Sequence, residues 1–115
     1  MGTVRIALPV DADGQVFPHF GRAPRLAVAT LEDGQVHDWQ VLEVDWGASH
    51  DREPHGEHHR RVFEDLRGQG VEVVLAGGMG EGMVRSLSGA GVQVVLGVSG
   101  DARSAAETYA AEHGA

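Results

Sequence analysis

At 115 residues the chain has room for one domain built on a single core, and 42% hydrophobic with 23% charged residues describes a globular chain rather than a disordered one. A formal charge of −8, with every lysine-or-arginine position filled by arginine, argues against generic nucleic-acid binding, which draws its affinity from cations on phosphates. The absence of cysteine excludes disulfides, thiolate nucleophiles, zinc ribbons and self-supplied thiolate ligation of an iron–sulfur cluster.

The first element is "TVRIALPV", where Val4, Ile6, Leu8 and Val10 alternate with Arg5 and Ala7 in the period-two pattern of a strand. A turn-rich stretch, "DADGQVFPHFGRAP", follows. "RLAVATL" and "QVHDWQVLEV" then read as two strands around "EDGQ", in which Asp-Gly supplies the positive φ that a tight hairpin turn requires. Next comes the polar "DWGASHDREPHGEHH", holding four of the seven histidines. It runs into a helix in which Val62, Phe63 and Leu66 share a face, with Gly70 as the stop. "VEVVLA" suits a strand buried on both faces. "GGMGEGMVRSLSGAG" is a glycine turn into a short helix with Met83, Val84 and Leu87 inward. "VQVVLGV" reads as a second buried strand. "SGDARSAAETYAAEHG" closes the chain as a helix that packs through Ala102, Ala105, Ala106 and Tyr109, capped by Ser99 or Asp101.

The order is therefore βββαβαβα, an antiparallel start followed by β–α–β units whose right-handed crossovers impose parallel pairing. A mixed five-stranded α/β sheet with the first strand central is expected, the order found in ribonuclease H-like proteins. No internal repeat, linker or second domain is apparent between residues 1 and 115. No apolar run approaches the ~20 residues of a membrane span, and the N-terminus lacks the build of a signal peptide, so a cytoplasmic protein with no membrane partner is expected.

Ligands of such sheets collect at the carboxyl ends of parallel strands. The first strand runs into "PHFGRAP" and the fourth into "GGMGEG". If these strands are neighbours, the two loops share a rim. "GGMGEG" lets backbone amides approach an anion at a helix N-terminus, yet it is neither a P-loop nor a dinucleotide fingerprint. Met79 offers a thioether there, or merely fills space. In the other loop, stiffened by Pro18 and Pro24, His19 is a candidate metal ligand or proton-sensitive donor, and Arg22 a planar fork for anions. The alternative is that Phe17 and Phe20 plug the core while His19 and Arg22 bond loop carbonyls. His50, His55, His58 and His59 form a candidate site for a divalent metal such as zinc, nickel or iron, or else a flexible acidic linker with incidental histidines. Enzymatic readings are weak. No Gly-x-Ser-x-Gly elbow occurs, and no base–nucleophile pair is visible. Asp11 stands where a ribonuclease H-like nuclease has its first metal-binding aspartate, but the fourth strand ends in Ala-Gly-Gly with no acidic residue to complete the cluster.

Taken together, "RIALPVD", "FPHFGRAP", "VEVVLAGGMGEG" and "GVQVVLGVSGDARSAAETYAAE" resemble, in order and over nearly the whole chain, the dinitrogenase iron–molybdenum cofactor biosynthesis domain family. These are nitrogenase accessory proteins and their small stand-alone relatives. The resemblance implies a ribonuclease H-like fold and a non-catalytic role in binding or carrying an iron–sulfur-based metallocluster, such as iron–molybdenum cofactor or a precursor. Its partners would be a cluster donor or acceptor protein. By match to the motif it implies that His19, Arg22, Gly77, Gly78, Met79 and Gly80 line the binding rim, with His19 the anchor to a metal atom. The His50–His59 segment falls where relatives carry a variable insert, and a divalent-metal-responsive interaction module built on it is the alternative. Monomer and homodimer both stay open.

Overall fold

The computed structural model describes residues 3–44, 46–47 and 55–113, with the backbone alone described at 55–58. The elements in chain order are β1 (Val4–Val10), a 3-10 turn (Phe20–Arg22), β2 (Arg25–Glu32), β3 (Gln35–Glu43), α1 (His55–Gly68), β4 (Val73–Leu75), α2 (Glu81–Gly89), β5 (Gln93–Val95) and α3 (Ala102–His113). Among the described residues the strands make one five-stranded sheet in the order β3-β2-β1-β4-β5. The expected mixed sheet with a central first strand is what forms.

The Asp-Gly signal does close the β2–β3 hairpin. Asp33 (φ 55°) and Gly34 (φ 77°) both take positive φ, the twist that matches antiparallel strands. β1 pairs antiparallel with β2 from Val4↔Leu31 to Val10↔Arg25, and parallel with β4 through Ile6↔Val73 and Ala7↔Val74. A central strand is covered on both faces, so its alternation sorts residues between two cores. Ile6, Leu8 and Val10 join Leu31, Leu75, Ala106 and Tyr109 on the α3 side. Ala7 joins Val74, Val62, Leu66, Met83 and Leu87 on the side of α1 and α2.

Each of α1 and α2 ends in the same way. Gly70 (φ 68°) and Gly91 (φ 86°) take the left-handed conformation just past the helix. Behind them Val71 N–H donates to Leu66 O and Val92 N–H donates to Leu87 O, the 6→1 bond of a Schellman motif. The sequence around them repeats as well, since Leu-x-Gly-x-Gly-Val-x-Val-Val-Leu runs over 66–75 and again over 87–96. This corrects the expectation of a chain without internal repetition, which whole-chain periodicity concealed.

A second correction concerns "VQVVLGV". β5 is an edge strand, not a buried one. Only 93–95 pair, Val94 and Val95 are half-buried, and Leu96 is 47% exposed, whereas its counterpart Leu75 is 2% exposed. β4 has neighbours on both sides and β5 on one. On α3 the inward face is Ala102, Ala106, Tyr109 and Ala110, with Ala105 partly buried against it. Val84 likewise sits at the margin of the α2 face that Met83 and Leu87 bury.

Candidate functional site

The loop after β1 is folded by its own polar groups. The Asp11 carboxylate accepts N–H bonds from Asp13 (2.8 Å) and Gln15 (3.1 Å), an Asx-type turn that commits this side chain to shaping the loop. Phe17 N–H then donates to Pro9 O (2.8 Å), holding the returning chain against the end of β1. Pro18 and His19 lead into the 3-10 turn.

Aromatic packing fixes that turn from below. Phe20 is fully buried and meets Trp46 edge-on, ring centroids 5.0 Å apart. Trp46, also fully buried, donates its indole N–H to Asp65 Oδ2 of α1 (2.8 Å), and its backbone N–H to Ala23 O (3.0 Å). Phe17 is partly buried in the same core and lies 6.4 Å from the His19 ring in a T-shaped arrangement. His19 and Arg22 are exposed above this base. The phenyls are therefore the anchor of "PHFGRAP", and its histidine and arginine stand outside the core.

The glycine turn after β4 meets this loop. Phe20 N–H donates to Gly78 O (3.1 Å). A Cβ on Gly78 would stand 3.0 Å from Pro18 O, and one on Gly77 would stand 3.2 Å from Val98 O and 3.5 Å from Pro18 Cα. Backbone crowds these positions from outside, so a side chain at either would push the two loops apart. Gly80 is the N-cap of α2 and offers that helix no side-chain cap. The start of α2 thus carries the positive end of the helix dipole without a side-chain cap from Gly80, and the acidic Glu81 lies in its first turn.

Between the two loops lies an open pocket of about 580 Å³. Its walls include His19, Arg22, Gly78, Met79 and Gly80, together with Glu81, Met83 and His59. Five of the rim positions implied by resemblance therefore lie together, although nearly 60 residues separate His19 from Gly78. Gly77 lies behind the wall as a spacer. His50 and the side chains of His55 and His58 lie outside the described residues. His59 lines the pocket. Among the described residues, no three His, Asp or Glu side chains gather as a metal centre.

Sequence reasoning missed Trp46, the keystone under the loop, because one indole in a polar stretch carries no periodic signal. It also missed Gly47, where a Cβ would stand 3.1 Å from Arg22 O.

Three solved structures share this architecture at 25–26% identity. A protein solved as PH0822 aligns with a TM-score of 0.77 at 25% identity, covering 95% of this chain and 90% of that one. A protein from Thermotoga, described as a candidate NifB protein of the DUF35 family, aligns at 0.68 with 25% identity, covering 92% and 86%. The orange protein of Desulfovibrio gigas, solved in its apo form, aligns at 0.70 with 26% identity, covering 91% and 85%. No curated protein matches the sequence. The model of the family described as dinitrogenase iron-molybdenum cofactor matches residues 2–112.

Proposed function

The chain belongs to the dinitrogenase iron–molybdenum cofactor family, and on that premise we propose that it is a non-catalytic carrier for an iron–sulfur-based metallocluster, of the iron–molybdenum cofactor kind or a precursor. The observation that carries this reading is the pocket that places His19, Arg22 and the uncapped start of α2 around one space. Its volume, about 580 Å³, falls in the range of small-molecule and cofactor sites.

The donor set fits cargo rather than a resident cluster. Building a cluster on the protein takes several thiolates, and the chain has none. A preformed cluster brings its own sulfide and needs an anchor and charge neutralisation. In this reading the His19 imidazole binds a metal corner. The Arg22 fork and the N–H groups at the start of α2 meet the anionic sulfides. Met79 adds a polarizable thioether wall suited to a soft ligand. That a related chain is described in an apo form, the term for a protein without its ligand, is in keeping with a binding role. The cluster would arrive from and leave to donor and acceptor proteins in the cytoplasm. We also read the sheet order, with its antiparallel hairpin on one flank, as ribonuclease H-like.

Tetrathiomolybdate, a compact metal–sulfide anion with strong visible absorption, serves as probe. The purified protein is expected to bind it at one equivalent. His19→Ala and Arg22→Ala should each weaken binding roughly 10-fold, the size of one charge-assisted contact. Affinity unchanged in both variants overturns the assignment.

A further inference from the structure

Resting on the reading of this pocket as a metallocluster site, we infer that His59 is a further binding group of the same site. One histidine of the histidine-rich segment and the "PHFGRAP" loop then serve the same ligand. The argument starts from helix geometry. Residues three, four and seven positions apart on a helix share a face. From His59 those positions are Val62, Phe63 and Leu66, the stripe that α1 turns toward the sheet, with Val62 and Leu66 at 0% and 1% exposure and Phe63 packed at its margin. His59 therefore continues the inward stripe by one turn. There the sheet has ended at β4, and the inward direction leads into the pocket instead of the core. Packing alone calls for an apolar side chain at such a position. The chain places an imidazole there, half-buried.

The second observation is what the ring meets. His59 Cε1 lies 3.5 Å from where a Cβ on Gly82 would stand, so the polar edge of the imidazole rests against the first turn of α2. Cε1 is bonded to both ring nitrogens. An imidazole offers a lone pair to a metal or an N–H to a sulfide.

The consequence for the ligand is a requirement of shape. Binding groups from three separate elements, the loop with His19 and Arg22, the start of α2, and α1, suit a compact body that presents acceptors or metal corners in several directions. A lone divalent ion or a small oxyanion satisfies fewer of them at once.

The test uses the full chain with tetrathiomolybdate, molybdate and zinc ion as probes, and the variants His59→Ala, His59→Gln and His19→Ala. Tetrathiomolybdate binding is expected to fall about 10-fold in His59→Ala, with partial recovery in His59→Gln. The His59 ring resonances of the wild type should shift at the same stoichiometry as those of His19. Molybdate and zinc should bind the wild type at least 10-fold more weakly. If His59→Ala binds within twofold of wild type and its resonances stay still while His19→Ala is impaired, the inference fails and the carrier reading stands. If zinc binds more tightly than the thioanion and depends on His59 alone, the segment is a separate metal module and the inference fails. A wild type that binds no thioanion overturns both.

Discussion

The two β–α junctions on the parallel side of the sheet begin alike and finish differently. Each follows the same Leu-x-Gly-x-Gly-Val-x-Val-Val-Leu segment, and each segment leaves its preceding helix through the same glycine-based stop. After β5, Asp101 caps α3: its carboxylate accepts the Ser104 N–H at 2.9 Å, and its backbone O accepts from Ala105 at 3.0 Å. After β4, the cap position of α2 is Gly80, which has no side chain to offer. One junction satisfies its own helix start. The other leaves that task at a pocket where His19, Arg22 and His59 converge. Two copies of one local pattern thus separate a structural joint from a candidate binding joint, and the difference lies in a handful of residues after the strand.

The comparison can be broken most forcefully at the crowding that holds the β4 junction to the "PHFGRAP" loop. Gly78→Val places a branched side chain where a Cβ already stands 3.0 Å from Pro18 O. Because the atom it meets is backbone, the loops must separate, at about 1–3 kcal/mol. Urea denaturation should register the loss, and tetrathiomolybdate binding should fall below detection. Retained binding would show that the Phe20–Gly78 tie does not shape the site.

Gly80→Asp sharpens the comparison by giving α2 the cap that α3 has. Stability is expected to rise by a few tenths of a kcal/mol, roughly the gap between glycine and aspartate as caps. The same carboxylate competes for the helix N–H groups and repels an anion, so thioanion affinity should drop about 10-fold. A gain in stability with unaltered affinity would mean that the start of α2 takes no part in binding.

The smallest effect belongs to the junction that is already satisfied. Hydrogen bonds from the Ser104 backbone and side chain hold the Asp101 carboxyl below its ordinary value of 3.8. A depressed folded-state value means that the cap's contribution is present above 3.8 and is lost as pH falls through the lower folded value. Asp101→Asn, which caps without titrating, should flatten that part of the acid-unfolding curve. At neutral pH its thioanion affinity should equal that of wild type. Identical acid curves for the two proteins would remove the cap from the pH dependence.

Much of this organisation was legible from local chemistry. Asp33-Gly34 closes the hairpin because so few residues tolerate two successive positive φ angles. Gly70 stops α1, Asp101 caps α3, and the Val-Val-Leu run of β4 is buried on both faces, each for a reason confined to a few neighbouring residues. The meeting of the two loops also followed from strand order, once β1 and β4 were taken as neighbours.

What escaped is what depends on distant partners. Val71–Leu75 and Val92–Leu96 are nearly the same sequence, so nothing within them says that one becomes an interior strand and the other an edge. Trp46 has no periodic context and is buried because Phe20 and Asp65 come to it from elsewhere in the chain.

His59 states the division most clearly. Its residue type marked it as a ligand, and its spacing from Val62 and Leu66 set the face of α1 on which it lies. Whether that face meets core or cavity depends on where β4 stops and how the glycine turn packs beneath Pro18. Local propensity acts over a few residues and can be read in order along the chain. A pocket is the space left between segments far apart in that order, and it exists only once they have packed.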